Sequence, residues 1–155
     1  MKTCPVYRKG EVNLPNSPIS LTTEWNPYEE FSQERVWMNP EEFLKASTSP
    51  GQFSKGSLDY IDAYAKEKGV LVGDMFMDVD AKTCRVLRHE GRHRSLWAYR
   101  NNVPCIPVIL YHNARNREGR YRFTDPAQSC LGKLKRQKGG KETAWDARNR
   151  PLKDV

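Results

Sequence analysis

His89-Glu90-Gly91-Arg92-His93-Arg94-Ser95-Leu96-Trp97-Ala98-Tyr99 decides the fold, because it joins a strand-like segment, Arg85-Val86-Leu87, to a helix-like one through a glycine. Glycine lets the backbone turn tightly, and the first helical turn then presents N–H groups with no partner inside the helix. Arg92, His93 and Arg94 crowd that positive helix end, where cations are ordinarily unfavourable. An anion seated among them reverses the balance, and phosphate is the usual one. Gly91, Arg92, His93, Arg94 and Ser95 therefore read as a phosphate or nucleotide site. The competing reading makes Arg92 and Arg94 solvated charges on an ordinary helix start.

Downstream, Asn101-Asn102-Val103-Pro104-Cys105 reads as a loop, and Ile106-Pro107-Val108-Ile109-Leu110 as a short buried strand. The order is strand, acid-Gly-basic turn, helix, Asn-rich loop, Ile-Pro-Val strand. In Glu90, Gly91, Arg92, His93, Arg94, Ala98, Ile106, Pro107 and Val108 this unit resembles the core of the ParB/sulfiredoxin superfamily. A weaker resemblance reaches upstream to Val36 and takes in roughly half of the chain. It implies an α/β (α+β) fold, a small mixed sheet with helices on its faces. It also implies a nucleoside triphosphate ligand and Mg²⁺-dependent nucleotide hydrolysis, phosphotransfer or nuclease activity. Compact stand-alone forms resemble accessory proteins of phages and plasmids. Sulfiredoxins place a reactive cysteine where Arg92 stands, so sulfinic acid reduction is not expected. The sequence that follows is too short for the helix-turn-helix segment of the chromosome-partitioning branch.

Charge is uneven along the 155 residues, which carry a net +7. Residues 1–80 hold 8 Lys+Arg and 13 Asp+Glu, whereas 81–155 hold 18 and 6. An acidic half followed by a basic one predicts a polyanionic partner for the second half, DNA or RNA. Packing of the acidic face near the basic one is the alternative. Mean hydropathy is −0.82, and no apolar run approaches the ~18 residues of a membrane span. Together with a polar start, this predicts a cytoplasmic protein with no membrane partner. Cys4, Cys84, Cys105 and Cys130 show neither a Cys-x-x-Cys pair nor zinc-ligand spacing. Reduced thiols are expected, Cys84 and Cys105 acting as small buried hydrophobes, with a disulfide as the minor alternative.

Residues 1–33, rich in Pro, Asn, Ser and Thr, read as an irregular N-terminal arm with one strand at Ile19–Thr23 and with Trp25, Tyr28 and Phe31 pinning it to the core. The domain proper is expected over 34–125. Arg35–Met38 reads as a strand, and Asn39-Pro40-Glu41-Glu42 as a capped helix start. Ser57 is expected to cap a second helix closed by Gly69. Met75–Val79 and Cys84–Arg88 pair through the Asp80–Thr83 turn. His112–Gly119 reads as a charged loop and Arg120–Phe123 as an edge strand. From 126 to 155 a basic, flexible tail is expected, its Lys133, Lys135, Arg136, Lys138 and Lys141 binding nucleic acid without sequence preference.

At the turn, Arg92 and Arg94 supply forked donors, Ser95 a hydroxyl, and backbone N–H groups the rest of a phosphate cradle. His93 reads either as a phosphate donor or general acid–base, or as a structural histidine bonded to backbone. Glu90 is the candidate catalytic carboxylate and Mg²⁺ ligand, with a salt bridge to Arg92 or Arg94 as the alternative. Asp74, Asp78 and Asp80 are further acids within reach. Lys55 and Ser57 are placed on a second wall of a triphosphate pocket, and Tyr60 and Tyr64 beside a base or the phosphates. A second function class stands beside the enzyme: a non-catalytic scaffold that grips DNA or RNA, or inhibits a host protein.

Overall fold

Hydrophobic residues at alternate positions build the central sheet. The computed structural model describes residues 4, 10–13, 17–23, 33–47, 53–71 and 75–136. Eight strands and three helices run in the order β1 (Gly10–Asn13), β2 (Ser20–Thr23), β3 (Gln33–Met38), α1 (Pro40–Ala46), α2 (Lys55–Lys68), β4 (Val70–Leu71), β5 (Met75–Asp80), β6 (Val86–Glu90), α3 (Arg92–Arg100), β7 (Ile106–Arg115) and β8 (Tyr121–Phe123). A five-stranded mixed sheet has the order β3-β7-β5-β6, and β8 pairs the far end of β7. β5 and β7 are parallel, with Met75 opposite Val108 and Met77 opposite Leu110. β3 and β6 flank them antiparallel. The expected α+β class holds.

Period-two placement sends Met75, Met77 and Val79 of β5 and Ile106, Val108 and Leu110 of β7 into one core, all essentially inaccessible. Trp97 and Ala98 of α3 close onto it. A smaller cluster, Leu44 and Leu96 with Phe53, Leu58 and Tyr99, ties the starts of α1 and α2 to α3. α1 begins as expected: Asn39 Oδ1 accepts from the Glu41 N–H at 2.8 Å, and Pro40 takes the first helical position. α2 starts earlier than expected. Ser54, not Ser57, is its cap, and Ser54 Oγ accepts from the Ser57 N–H at 3.3 Å. The capping geometry spans three residues, so the second serine falls inside the first turn. Gly69 ends α2 left-handed at φ 68°.

Four further expectations are corrected. The N-terminal arm contributes β1 and β2 to a separate three-stranded sheet, β1-β2-β4, and its Leu21 is fully buried in the main core. The segment His112–Arg115 belongs to β7, not to a loop, and His112 is buried with Nε2 3.1 Å from Glu34 Oε1. The cysteines are not thiols: Cys4 pairs with Cys105 and Cys84 with Cys130, so a cytoplasmic location loses the support it drew from reduced cysteine. The expected tail is fastened to the domain as far as Arg136. Glu34 Oε1 accepts from the Cys130 N–H at 3.1 Å and Glu42 Oε1 from the Gly132 N–H at 2.7 Å. Lys135 exchanges backbone bonds with Cys84 and Val86, and Arg136 O accepts from Arg85 at 2.8 Å. Lys138 and Lys141, like Trp25, Tyr28, Phe31 and Asp74, lie outside the described residues. No helix among the described residues is long and apolar enough to cross a membrane.

Candidate functional site

Gly91 is the hinge of the site. It ends β6 and caps α3 at φ 116°, a conformation that side chains other than hydrogen rarely adopt. It also lies against β5: a Cβ built there falls 2.4 Å from Met75 Cγ. Both facts require glycine at the strand-to-helix turn. Among the described residues no side chain caps this helix end and no acid occupies its first turn. The positive end of α3 thus lies beside Arg92, His93 and Arg94, which with Gly91 line a cleft.

Each side chain of the turn has a distinct setting. Arg92 is half-buried with its guanidinium 4.2 Å from the centre of the Phe53 ring. Burial lowers its pKa, though a guanidinium stays charged. His93 Nε2 accepts the Ser54 N–H at 2.9 Å, and its ring meets Phe53 edge-on at 5.6 Å. Burial, with the charge of Arg92 second, holds the imidazole below its ordinary pKa. His93 is therefore neutral near pH 7, with its proton on Nδ1. Arg94 is paired at 2.6 Å with Glu90, four residues back at the end of β6. Ser95 is fully buried, and its Oγ donates to the Gly91 carbonyl at 2.8 Å. Its hydroxyl braces the turn from inside and takes no part in a phosphate cradle.

A polar cleft of about 450 Å³ opens at this helix end, bounded by Ser57, Tyr60, Glu90, Gly91, His93 and Arg94 among others. Beside it lies an apolar pocket of about 270 Å³ lined by Tyr60, Ile61, Tyr64, Val70, Leu71 and Arg94. The two share Tyr60, Ile61 and Arg94. α2 buries only Ala65 deeply. The Trp97 indole N–H donates to Asp62 at 3.0 Å and fixes the spacing of α2 and α3.

Of the residues expected here, Gly91, Arg92, His93, Arg94, Glu90 and Ser57 come together at one cleft. Lys55 does not: it is exposed and paired with Asp59 at 3.4 Å, away from the lining. His89 packs edge-on against Phe43 and is structural. Sequence reasoning missed Phe53 and the Val70-Leu71 wall. The apolar Phe53 just ahead of the Ser54 cap was their one signal in the chain.

The described candidate acids each face a donor. Glu90 holds Arg94, Asp78 holds Arg88, and Asp80 accepts from the Lys82 and Thr83 N–H groups and from Tyr121 Oη. Among the described residues no group of three His, Cys, Asp or Glu stands close enough to hold a cation. Glu90, the acid expected to hold Mg²⁺, faces Arg94 in this arrangement. No family model, no curated protein and no solved structure matches the chain.

Proposed function

We propose that the chain binds a nucleotide across these two compartments, phosphates at the start of α3 and base against Tyr60 and Tyr64. The observation that carries this reading is the shared wall. An uncapped helix end flanked by arginines opens directly beside an apolar pocket bearing two tyrosines. Such a helix end attracts phosphate, and tyrosine faces stack on bases. The resemblance of the turn, helix and Ile-Pro-Val strand to ParB/sulfiredoxin proteins supports the same ligand class.

A non-catalytic role is favoured over hydrolysis, phosphotransfer or nuclease action. His93 Nε2, the atom a general base would use, is occupied by the Ser54 N–H, and Glu90 is engaged with Arg94. Both candidate catalytic groups serve the architecture of the turn. Thermal shift against ATP, GTP and CTP, with the matching nucleosides as controls, tests the reading. Nucleotides should raise Tm in the wild type and nucleosides much less. Arg94→Ala should abolish the rise, whereas Lys133→Ala, exposed and outside the lining of the cleft, should preserve it. Equal loss in both variants means diffuse electrostatics and no site.

A further inference from the structure

The β7–β8 edge of the five-stranded sheet carries a second feature, on the face opposite Met75, Met77 and Val79. Strand register places Phe76, Asp78 and Asp80 of β5 on one face with Tyr111 and Arg115 of β7 and with Tyr121 and Phe123 of β8. Their rings form a diagonal across three strands. Phe76 meets Tyr111 at 5.9 Å and Tyr111 meets Phe123 at 5.6 Å between centres. The Arg115 guanidinium lies 4.9 Å from the centre of the Tyr121 ring. Phe123, at the edge, is 58% exposed. A phenyl ring held so open on an edge strand contributes little to the core, and burying it against a partner would be favourable.

Charge selects that partner. Each acid on the face already has a donor: Asp78 has Arg88, Asp80 has Tyr121 and two backbone N–H groups, and Glu90 has Arg94. Arg117 and Arg120, both exposed on the adjoining loop, are in no ion pair among the described residues, and Arg122 is exposed on the other face of β8. With Arg115 they outnumber the neighbouring Glu118 and Asp125, so the rim is net positive. An aromatic row with a basic rim matches neither an apolar peptide nor a cationic one. It matches a strand whose bases stack and whose backbone is anionic.

We propose that this edge binds single-stranded nucleic acid, its bases stacked on the exposed Phe123 and the half-buried Tyr111 behind it and its phosphates along Arg115, Arg117 and Arg120. The π-face of every base serves, so recognition is tolerant of sequence. A duplex hides its base faces and gains only the phosphate contacts.

Fluorescence anisotropy of the full chain with labelled oligo-dT and oligo-U of about twelve nucleotides, against a duplex of the same length, tests this. Single strands should bind more tightly than duplex, and the two single-strand arms decide between DNA and RNA. Phe123→Leu keeps apolar bulk but loses the ring, and should weaken binding about tenfold. Phe123→Trp should retain it, and unchanged Tm in both variants shows that the edge strand is intact. Replacing Arg115, Arg117 and Arg120 together by alanine should flatten the salt slope by about 2 units. Equal affinity for duplex and single strand, or Phe123→Leu binding like the wild type, overturns the proposal. Neither result bears on nucleotide binding at Arg94, which the thermal-shift series reads separately.

Discussion

At the scale of single residues, His93 shows how an apparent catalyst becomes a structural part. Its neutral form receives the Ser54 N–H that opens α2, and protonation would break that bond beside the charge of Arg92. The folded-state pKa lies below the unfolded value of ~6.5, so the unfolded chain takes up the proton first. The contribution of His93 to stability is therefore complete above pH ~6.5 and is lost as pH falls through the folded pKa. Urea midpoints between neutral and mildly acid pH should decline in the wild type. His93→Gln, which can still accept from Ser54 but does not titrate, should flatten the part of that decline nearest neutrality. An unchanged profile in the variant would assign the decline to other groups. Ser95 carries the same lesson in an uncharged form. Its position in the turn was visible in the chain, but its hydroxyl faces Gly91 and Met75 inside the fold.

At the scale of elements, the decisive junction is β6–Gly91–α3 seated on β5. Glycine there satisfies two demands at once, the positive φ and the contact with Met75. Gly91→Ala combines backbone strain with overpacking, each worth about 1–3 kcal/mol. Urea unfolding of that variant should show a loss of roughly 2–5 kcal/mol, with α3 displaced from the sheet and nucleotide stabilisation lost as well. A loss under about 0.5 kcal/mol would mean that the turn relaxes freely. The αL demand was legible from a glycine between a strand and a helix. The Met75 contact was not, because it joins residues sixteen positions apart through sheet geometry. The Ser54 and Ser57 exchange is of the same kind, since either serine satisfies a local capping rule. Packing of Phe53 beside Leu44 and Leu96 selects the earlier one.

At the scale of the whole molecule, two disulfides lace the chain ends to the sheet. Cys4 is tied to Cys105 at the start of β7, and Cys130 to Cys84 in the β5–β6 turn. They span separations of 101 and 46 residues. Cross-links over loops of such length stabilise chiefly by restricting the unfolded chain, typically by 2–4 kcal/mol each. The double variant Cys84→Ser/Cys130→Ser should therefore lose roughly 5–15 °C in Tm. Because the backbone bonds of Cys130, Gly132 and Lys135 remain, it should still fold. A Tm unaffected by reductant in the wild type would show that the bridges do not form in solution.

The chain by itself determined the β5–β6 hairpin, the Asn39 cap, the Gly69 stop, the turn at Gly91 and the strand from Ile106. Each depends on local backbone preference and on apolar spacing within a few residues, which sequence order carries directly. The tertiary structure alone decided the pairing of β2 with β4, the reach of β7 through a buried His112, the seating of Lys135 beside Cys84, and both disulfides. It also decided that Lys55 leaves the cleft while Phe53 packs against Arg92 and His93, and that Phe76, Tyr111 and Phe123 form one row. Those facts join residues far apart in the chain. Closing such loops costs entropy that only the sum of many simultaneous contacts offsets, so no single segment announces them.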